Sequence, residues 1–391
     1  MNIGYKRKLV LLGMISRAPV AGVLWQTIHY LVGFQRLGYE VYYVEDHART
    51  PLMLINEPDD DGSQKAAELI SSLLKRFDLG DRWAFHASHS DGQYYGMSEF
   101  QLKELFRTAE LIINLHGNTV PLPEHIETNR LIYVETDPVA PQIELYDNVK
   151  ETIDFLDQHR AFFTFGENYG NSDCLLPVSD KFVFHPTRQP VLLDMWKPSN
   201  KTTAQSFTTI GSWCQSGRDV VYQGETYFWS KHYEFLKFID LPLRTKMPFE
   251  LALNRCDEWG QQQLTNNGWT LKDALGFSTD MDDYQEYIWN SRGEFTVAKD
   301  QNVRLRSGWF SDRSASYLAS GRPVITQDTG FGNHLPIGEG LFAFSTIEEI
   351  EDAVESINSD YQFHSQKAFE IAKDYFSFDI VLPRMLDQIG L

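Results

Sequence analysis

Short apolar runs alternate with longer stretches of helical period along most of this chain. Residues 9–15 read as a buried strand, 16–22 as a loop, 23–37 as an amphipathic helix and 39–45 as the next strand. Gly38 stands where a C-cap glycine belongs, so the unit is strand-helix-strand, a crossover that makes parallel sheet. The same rhythm predicts a helix over 65–77, a strand over 83–86 and a helix over 99–108 behind a Ser98-x-x-Gln101 capping box. Strands over 111–115, 130–135 and 161–165 follow. A stretch with three prolines, 185–200, breaks the alternation. It then resumes with strands over 207–213, 249–253, 294–298, 322–326 and 341–344. Helices are expected over 227–238, 283–289, 312–320, 347–357, 365–375 and 379–389.

This pattern predicts an α/β protein of two Rossmann-like, doubly wound parallel-sheet domains facing a cleft, spanning 1–188 and 189–375. A terminal helix, 376–391, is expected to return toward the first domain. A length of 391 residues exceeds one ordinary core and suits two. With 42% hydrophobic and 23% charged residues the chain is globular rather than disordered. Its formal net charge of -19 repels phosphate backbones and anionic lipid, which argues against nucleic acid or a membrane surface as partner. The only basic cluster is Lys6-Arg7-Lys8; the apolar run behind it is short and reads as a first strand rather than a signal peptide. No segment reaches the ~20 apolar residues of a membrane span. Cys174, Cys214 and Cys256 fit neither a disulfide framework nor metal-ligand spacing, and a cytoplasmic location is expected.

The densest candidate chemistry lies in "SDRSASYLASGRPVITQDTGFGNHLP", residues 311–336. Ser311, Arg313 and Ser314 fall at a helix start, where free N–H groups and the helix dipole favour an anion and Arg adds a bidentate donor. The alternative is an ordinary N-cap beside a solvated arginine. Asp328, Thr329 and Gly330 follow the next strand at its carboxyl end, where open α/β sheets place ligands. "YLASGRPVI", the small polar loop behind it and Gly338-Glu339-Gly340 ahead of "LFAFSTIEEIEDAVESI" together resemble the donor-binding half of nucleotide-sugar glycosyltransferases of the GT-B fold.

The resemblance implies that Ser311, Arg313 and Ser314 hold a donor diphosphate while Asp328, Thr329 and Gly330 reach the donor sugar. The chain departs from many retaining relatives at two places where they carry glutamate, here Gly308 and Ser316. In "TTIGSWCQSGRD", Gly211 permits close backbone approach after the second domain's first strand and Arg218 adds charge. On the opposite wall, Ser16, Arg17 and Gly22 border the acceptor side. His116 in "NLHGN" and Asp137 in "VETDP" end two strands and are the candidate catalytic bases beside Arg313. The acidic tracts Asp59-Asp60-Asp61 and Asp280-Met281-Asp282-Asp283 precede helices and suit their dipoles, so no metal is required. Trp213, Trp309 and Phe331 are the aromatics nearest the proposed site.

The expectation is a sugar transfer from a nucleotide-diphosphate donor to an acceptor, with no cofactor besides that donor substrate. A nucleotide-sugar epimerase of the same architecture and a non-catalytic nucleotide-sugar-binding partner are the alternatives. A dinucleotide-binding dehydrogenase ranks behind them because G-x-G-x-x-G is missing.

Overall fold

In the computed structural model the described residues are 7–55, 57, 60–198 and 204–391. Lys6, Asp59 and residues 199–200 of the proline-containing stretch lie outside them. Eight strands form the first sheet: β1 Lys8–Leu12, β2 Glu40–Glu45, β3 Trp83–His86, β4 Tyr94–Gly96, β5 Leu111–Leu115, β6 Leu131–Glu135, β7 Ala161–Thr164 and β8 Phe184–Pro186. Their order is β4-β3-β2-β1-β5-β6-β7-β8, parallel except where β4 joins β3. β1 is central, pairing Leu9 with Val41 on one side and Leu111 on the other. Its alternate residues serve opposite faces: Leu9 and Leu11 enter one core cluster, Val10 and Leu12 another. That two-sided burial is why it reads as an unbroken apolar run.

The second sheet comes from later strands, β9 Phe207–Ser212, β12 Phe249–Asn254, β13 Thr270–Asp273, β14 Gly293–Thr296, β15 Val324–Gln327 and β16 Leu341–Phe344. A separate hairpin, β10 Val220–Tyr222 and β11 Glu225–Tyr227, stands between β9 and the rest. The sheet order is β13-β12-β9-β14-β15-β16, all parallel. In each sheet the order reverses direction once, between β1 and β5 and between β9 and β14. Loops leaving the carboxyl ends of those strand pairs diverge and leave a crevice.

Several boundaries differ from the pattern-based reading. The helix expected from residue 227 begins at His232, because Gln223 at φ 53° and Gly224 at φ 83° make a two-residue turn and Tyr227 closes the hairpin. β13 escaped the hydrophobic pattern because it is a largely exposed edge strand reading Thr-Leu-Lys-Asp.

The chain passes between the lobes twice, and the two passages touch. Val191 N donates to Phe376 O at 2.7 Å and Phe378 N donates to Val191 O at 3.1 Å. The last helix, Phe378–Gln388, then lies against the first, Ala21–Arg36, at Gly33, where an added Cβ would meet Leu382 Cδ1 at 2.7 Å. Near this junction Trp196 is fully buried and donates through Nε1 to His29 Nε2 at 2.9 Å. Burial pushes His29 down to about 3, so it accepts as a neutral ring. Trp25 of the first helix reaches across to Met281 O at 3.2 Å, fixing the lobes against each other.

Candidate functional site

The loops after β1, β5, β6 and β9 converge on a cavity of about 610 Å³ between the lobes, bordered by Arg17, Arg49, His116, Asp137, Arg218 and Asp312. A second cavity of about 210 Å³ adjoins it against Gly211, Ser212, Asn254, Leu275 and Arg313. Val20, Gly22 and Asp312 line both, so the two form one crevice running between the sheets' reversal points. Gly22 leaves room there: a Cβ on it would meet only Tyr284 Oη, at 3.8 Å.

Behind the second lobe's wall, bordering neither cavity themselves, two lysines share the ring of Trp309, with Lys231 Nζ 5.5 Å and Lys299 Nζ 5.8 Å from its centroid. Lys299 also sits 3.1 Å from the Trp229 centroid and pairs across the cleft with Asp137 at 2.5 Å. Lys231 forms no ion pair among the described residues. Burial, then the nearby Arg313 and Lys299, push its ammonium down to about 7. Trp309 closes the wall by donating through Nε1 to Thr136 O, 3.0 Å away on the first lobe.

Neither lysine was anticipated. Lys299 directly follows the strand expected over 294–298, and the strand-end rule points to it as it pointed to His116. Lys231 was hidden inside the helix drawn from residue 227, and only the hairpin puts it in a loop beside the cleft.

The expected phosphate group is rearranged. Arg313 leaves the start of its helix toward the sheet rather than toward the cleft. Its Nε bonds Glu294 Oε1 and its Nη1 bonds Ile210 O, both at 2.5 Å, and its Nη2 bonds Thr296 Oγ1 at 2.9 Å. Burial alone would weaken that charge, but Glu294 outweighs it and the guanidinium is held more firmly protonated. Arg313 borders the smaller cavity with three of its five N–H donors committed, which narrows the expected phosphate clamp to the two that remain. Ser311 and Ser314 are buried and line neither cavity.

The loop expected to reach the sugar is corrected likewise. Asp328 bonds Arg306 at 2.8 Å and the N–H of Gly330 at 2.8 Å, and Thr329 Oγ1 donates to Trp309 O at 2.7 Å. Gly330, at φ 93°, packs so closely on Asn168 that a Cβ would lie 2.7 Å from its Nδ2. Gly330 meets Asn168 directly and Asp328 holds Arg306, which bonds Asp173, so this loop packs toward the 166–173 segment instead of lining the crevice. Trp213 and Phe331 are core residues, each 1% exposed.

The first lobe's wall keeps more of the expected set. His116 takes φ 68° so that its ring turns into the crevice, with Nδ1 2.8 Å from Thr136 Oγ1 and Nε2 buried without a partner. Burial pushes it down to about 4, so the ring is neutral near pH 7. Asp137 is opposite: burial would raise its carboxyl, but Lys299 outweighs this and keeps it below its ordinary value. Asp312, unremarked as a base in the sequence, has its carboxyl raised by burial.

Arg17 and Gly22 line the crevice, as do Gly211 and Arg218 from the other side. Ser16 does not. It is fully buried, its N–H donates to Glu45 Oε1 at 2.9 Å and its hydroxyl bonds Glu45 Oε2, so it anchors the loop from behind. At the second acidic tract Asp280 caps its helix by accepting from the N–H groups of Asp282 and Asp283. Among the described residues no cluster of three metal-ligating side chains is present, and no helix is long and apolar enough to cross a membrane.

No protein-family model and no curated protein matches the chain. Solved structures do share its architecture. An alpha-glucosyltransferase in complex with UDP and DNA superposes with a TM-score of 0.57 at 11% identity over 100% of both chains. TarM gives 0.57 at 9% identity over 100% of this chain and 99% of its own. HepE from Anabaena, in complex with UDP and glucose, gives 0.55 at 14% identity over 99% and 100%. The chain has the GT-B fold, two Rossmann-like lobes facing a cleft.

Proposed function

We propose that the chain is a glycosyltransferase that moves a sugar from a nucleotide-diphosphate donor, held mainly by the second lobe, to an acceptor held mainly by the first. The observation that carries this reading is Lys231, a half-buried amine with no ion pair among the described residues, beside Lys299 and against the Trp309 ring that lines the crevice. A partly desolvated cation lacking a counter-charge is costly unless a ligand supplies one, and a diphosphate does.

In the transfer, an acceptor hydroxyl oxygen attacks the anomeric carbon while the bond from that carbon to the diphosphate oxygen breaks. The diphosphate leaves with the electron pair against Lys231 and Lys299, and the hydroxyl proton goes to a carboxylate or to the departing phosphate. Asp137 and Asp312 are the carboxylates at hand. Phosphate oxygens competing for Lys299 release Asp137 from its ion pair and raise its proton affinity, making it a better base once donor is bound. His116, neutral, hydrogen-bonds a sugar or acceptor hydroxyl through its unpartnered Nε2. The crevice beside Gly211 and Ser212 takes the nucleoside.

UDP or UDP-glucose bound to several structural neighbours supports the donor class. The lysine pair supplies the charge that a metal would otherwise bring, and the three free cysteines fit a reducing cytoplasm. A thermal-shift panel of UDP, GDP, dTDP and ADP with their sugars tests the reading. One nucleotide series should raise the melting temperature, unchanged by EDTA. No shift with any nucleotide would overturn it. Gly308 and Ser316, standing where many relatives carry glutamate, favour the non-catalytic alternative, which predicts tight nucleotide binding with no turnover.

A further inference from the structure

Arg17 and Arg49 stand together on the first lobe's wall, and one residue, Asn118, joins them. Arg17 Nη1 donates to Asn118 Oδ1 at 2.5 Å and Arg49 Nε donates to Asn118 O at 3.4 Å. Asn118 is 5% exposed, yet its Nδ2, a donor with two hydrogens, has no partner. A buried amide donor left unpaired is costly unless something else accepts from it.

Glu45, at the end of β2, holds both arginine loops from behind. It accepts from Ser16 beside Arg17, and it meets His47 Nε2 at 3.0 Å while His47 Nδ1 accepts the N–H of Arg49 at 3.1 Å. Burial would raise this carboxyl, but those hydrogen bonds outweigh it and keep it ionised. Among the described residues neither guanidinium has a carboxylate within ion-pair reach, although the chain carries 54 acidic residues against 35 lysines and arginines. Arg218 adds a third guanidinium from the opposite lobe, its Cζ 4.9 Å from the Trp229 centroid. Burial and then the nearness of Arg49 and Arg218 weaken the proton hold of Arg17. Like charges gathered by fixed hydrogen bonds around a buried free donor make an anion site.

We infer that the acceptor carries a phosphate group, gripped by Arg17, Arg49 and the Asn118 amide on the first lobe. This rests on the transferase reading but names a substrate class that the reading leaves open. The donor's own phosphates have the second lobe's lysines, whereas Arg17 and Arg49 are tied to first-lobe groups. A soluble sugar or polyol phosphate and a lipid headgroup share this recognition chemistry.

The test uses the full chain and begins with UDP and UDP-glucose, whose binding decides the transferase reading separately. With UDP present, inorganic phosphate is titrated by calorimetry, followed by glucose 6-phosphate and glycerol 3-phosphate against glucose and glycerol. Sedimentation with phosphatidylglycerol vesicles forms the lipid arm. Inorganic phosphate should bind, and either the soluble phosphates or the vesicles should bind more tightly than their uncharged counterparts. Arg17→Gln and Arg49→Gln should each weaken that binding about tenfold. UDP affinity should change by less than about twofold, because the donor has other contacts. Phosphate affinity unchanged in both variants would overturn the inference while leaving the donor reading intact. So would a tenfold loss of UDP affinity instead, which would give the arginines to the donor. A circular-dichroism melt of each variant confirms that it is folded.

Discussion

The two walls of the cleft carry the same kinds of charge and use them differently. On the second lobe Arg313 sits at a helix start, where phosphate sites are commonly found, yet Glu294, Ile210 and Thr296 engage three of its five donors. On the first lobe Arg17 and Arg49 occupy ordinary loops, yet among the described residues they form no ion pair and they share one asparagine. A cation's availability to a ligand therefore depends on what the fold places within reach, not on the local motif in which the residue stands.

The sharpest way to break this comparison is Arg313→Ala. It strands Glu294, 0% exposed, as an unpaired buried charge, so the chain should lose about 3–5 kcal/mol of stability. The double variant Arg313→Ala with Glu294→Gln should recover part of that loss in denaturant melts. An unchanged melt with abolished nucleotide binding would restore Arg313 as a phosphate ligand.

Lys231→Ala should do the reverse. Nucleotide affinity should fall by about 1.5–3 kcal/mol, as for a lost charged hydrogen bond, while the unliganded melting temperature holds or rises. Titration calorimetry reads the first and thermal unfolding the second.

A pH test separates two carboxyls on the first lobe, Glu135 and Asp137. Burial pushes Glu135 up to about 8 from its ordinary 4.5, against hydrogen bonds from Thr164 and Gln142. The folded state therefore binds this proton more tightly than the unfolded chain. The stability it contributes is complete below about pH 4.5 and is lost as pH rises through about 8. Glu135→Gln should remove that slope, up to ~1.4 kcal/mol per pH unit, in melts between pH 5 and pH 8. Asp137→Asn should leave the slope in place.

The fold was legible because two-sided burial writes itself as apolar runs. β1 and β5 are buried at nearly every position, and the helices between strands keep a 3.6-residue period. β13 and the hairpin were not legible, since an exposed edge strand and a three-residue strand have too few buried positions to show a period. Of the site residues read from strand ends, His116, Asp137, Arg17, Gly22 and Gly211 fall in the crevice, because a parallel sheet sends every carboxyl end to one side, whereas Ser16 and the 328–330 loop do not. Arg313, read from a helix start, borders the smaller cavity with three donors engaged behind it, and the 328–330 loop turns away from the crevice. Their side chains meet partners more than 15 residues away in sequence, such as Glu294, Arg306 and Asn168, and local spacing carries no trace of those contacts.

The two passages of the chain between the lobes are bonded to each other at Val191, Phe376 and Phe378. A protease that nicks one of them leaves the halves tethered by the other, at the same spot. Trp25, Trp309 and Lys299 add crossings elsewhere along the interface, so the cut chain would stay joined both covalently and by these bonds.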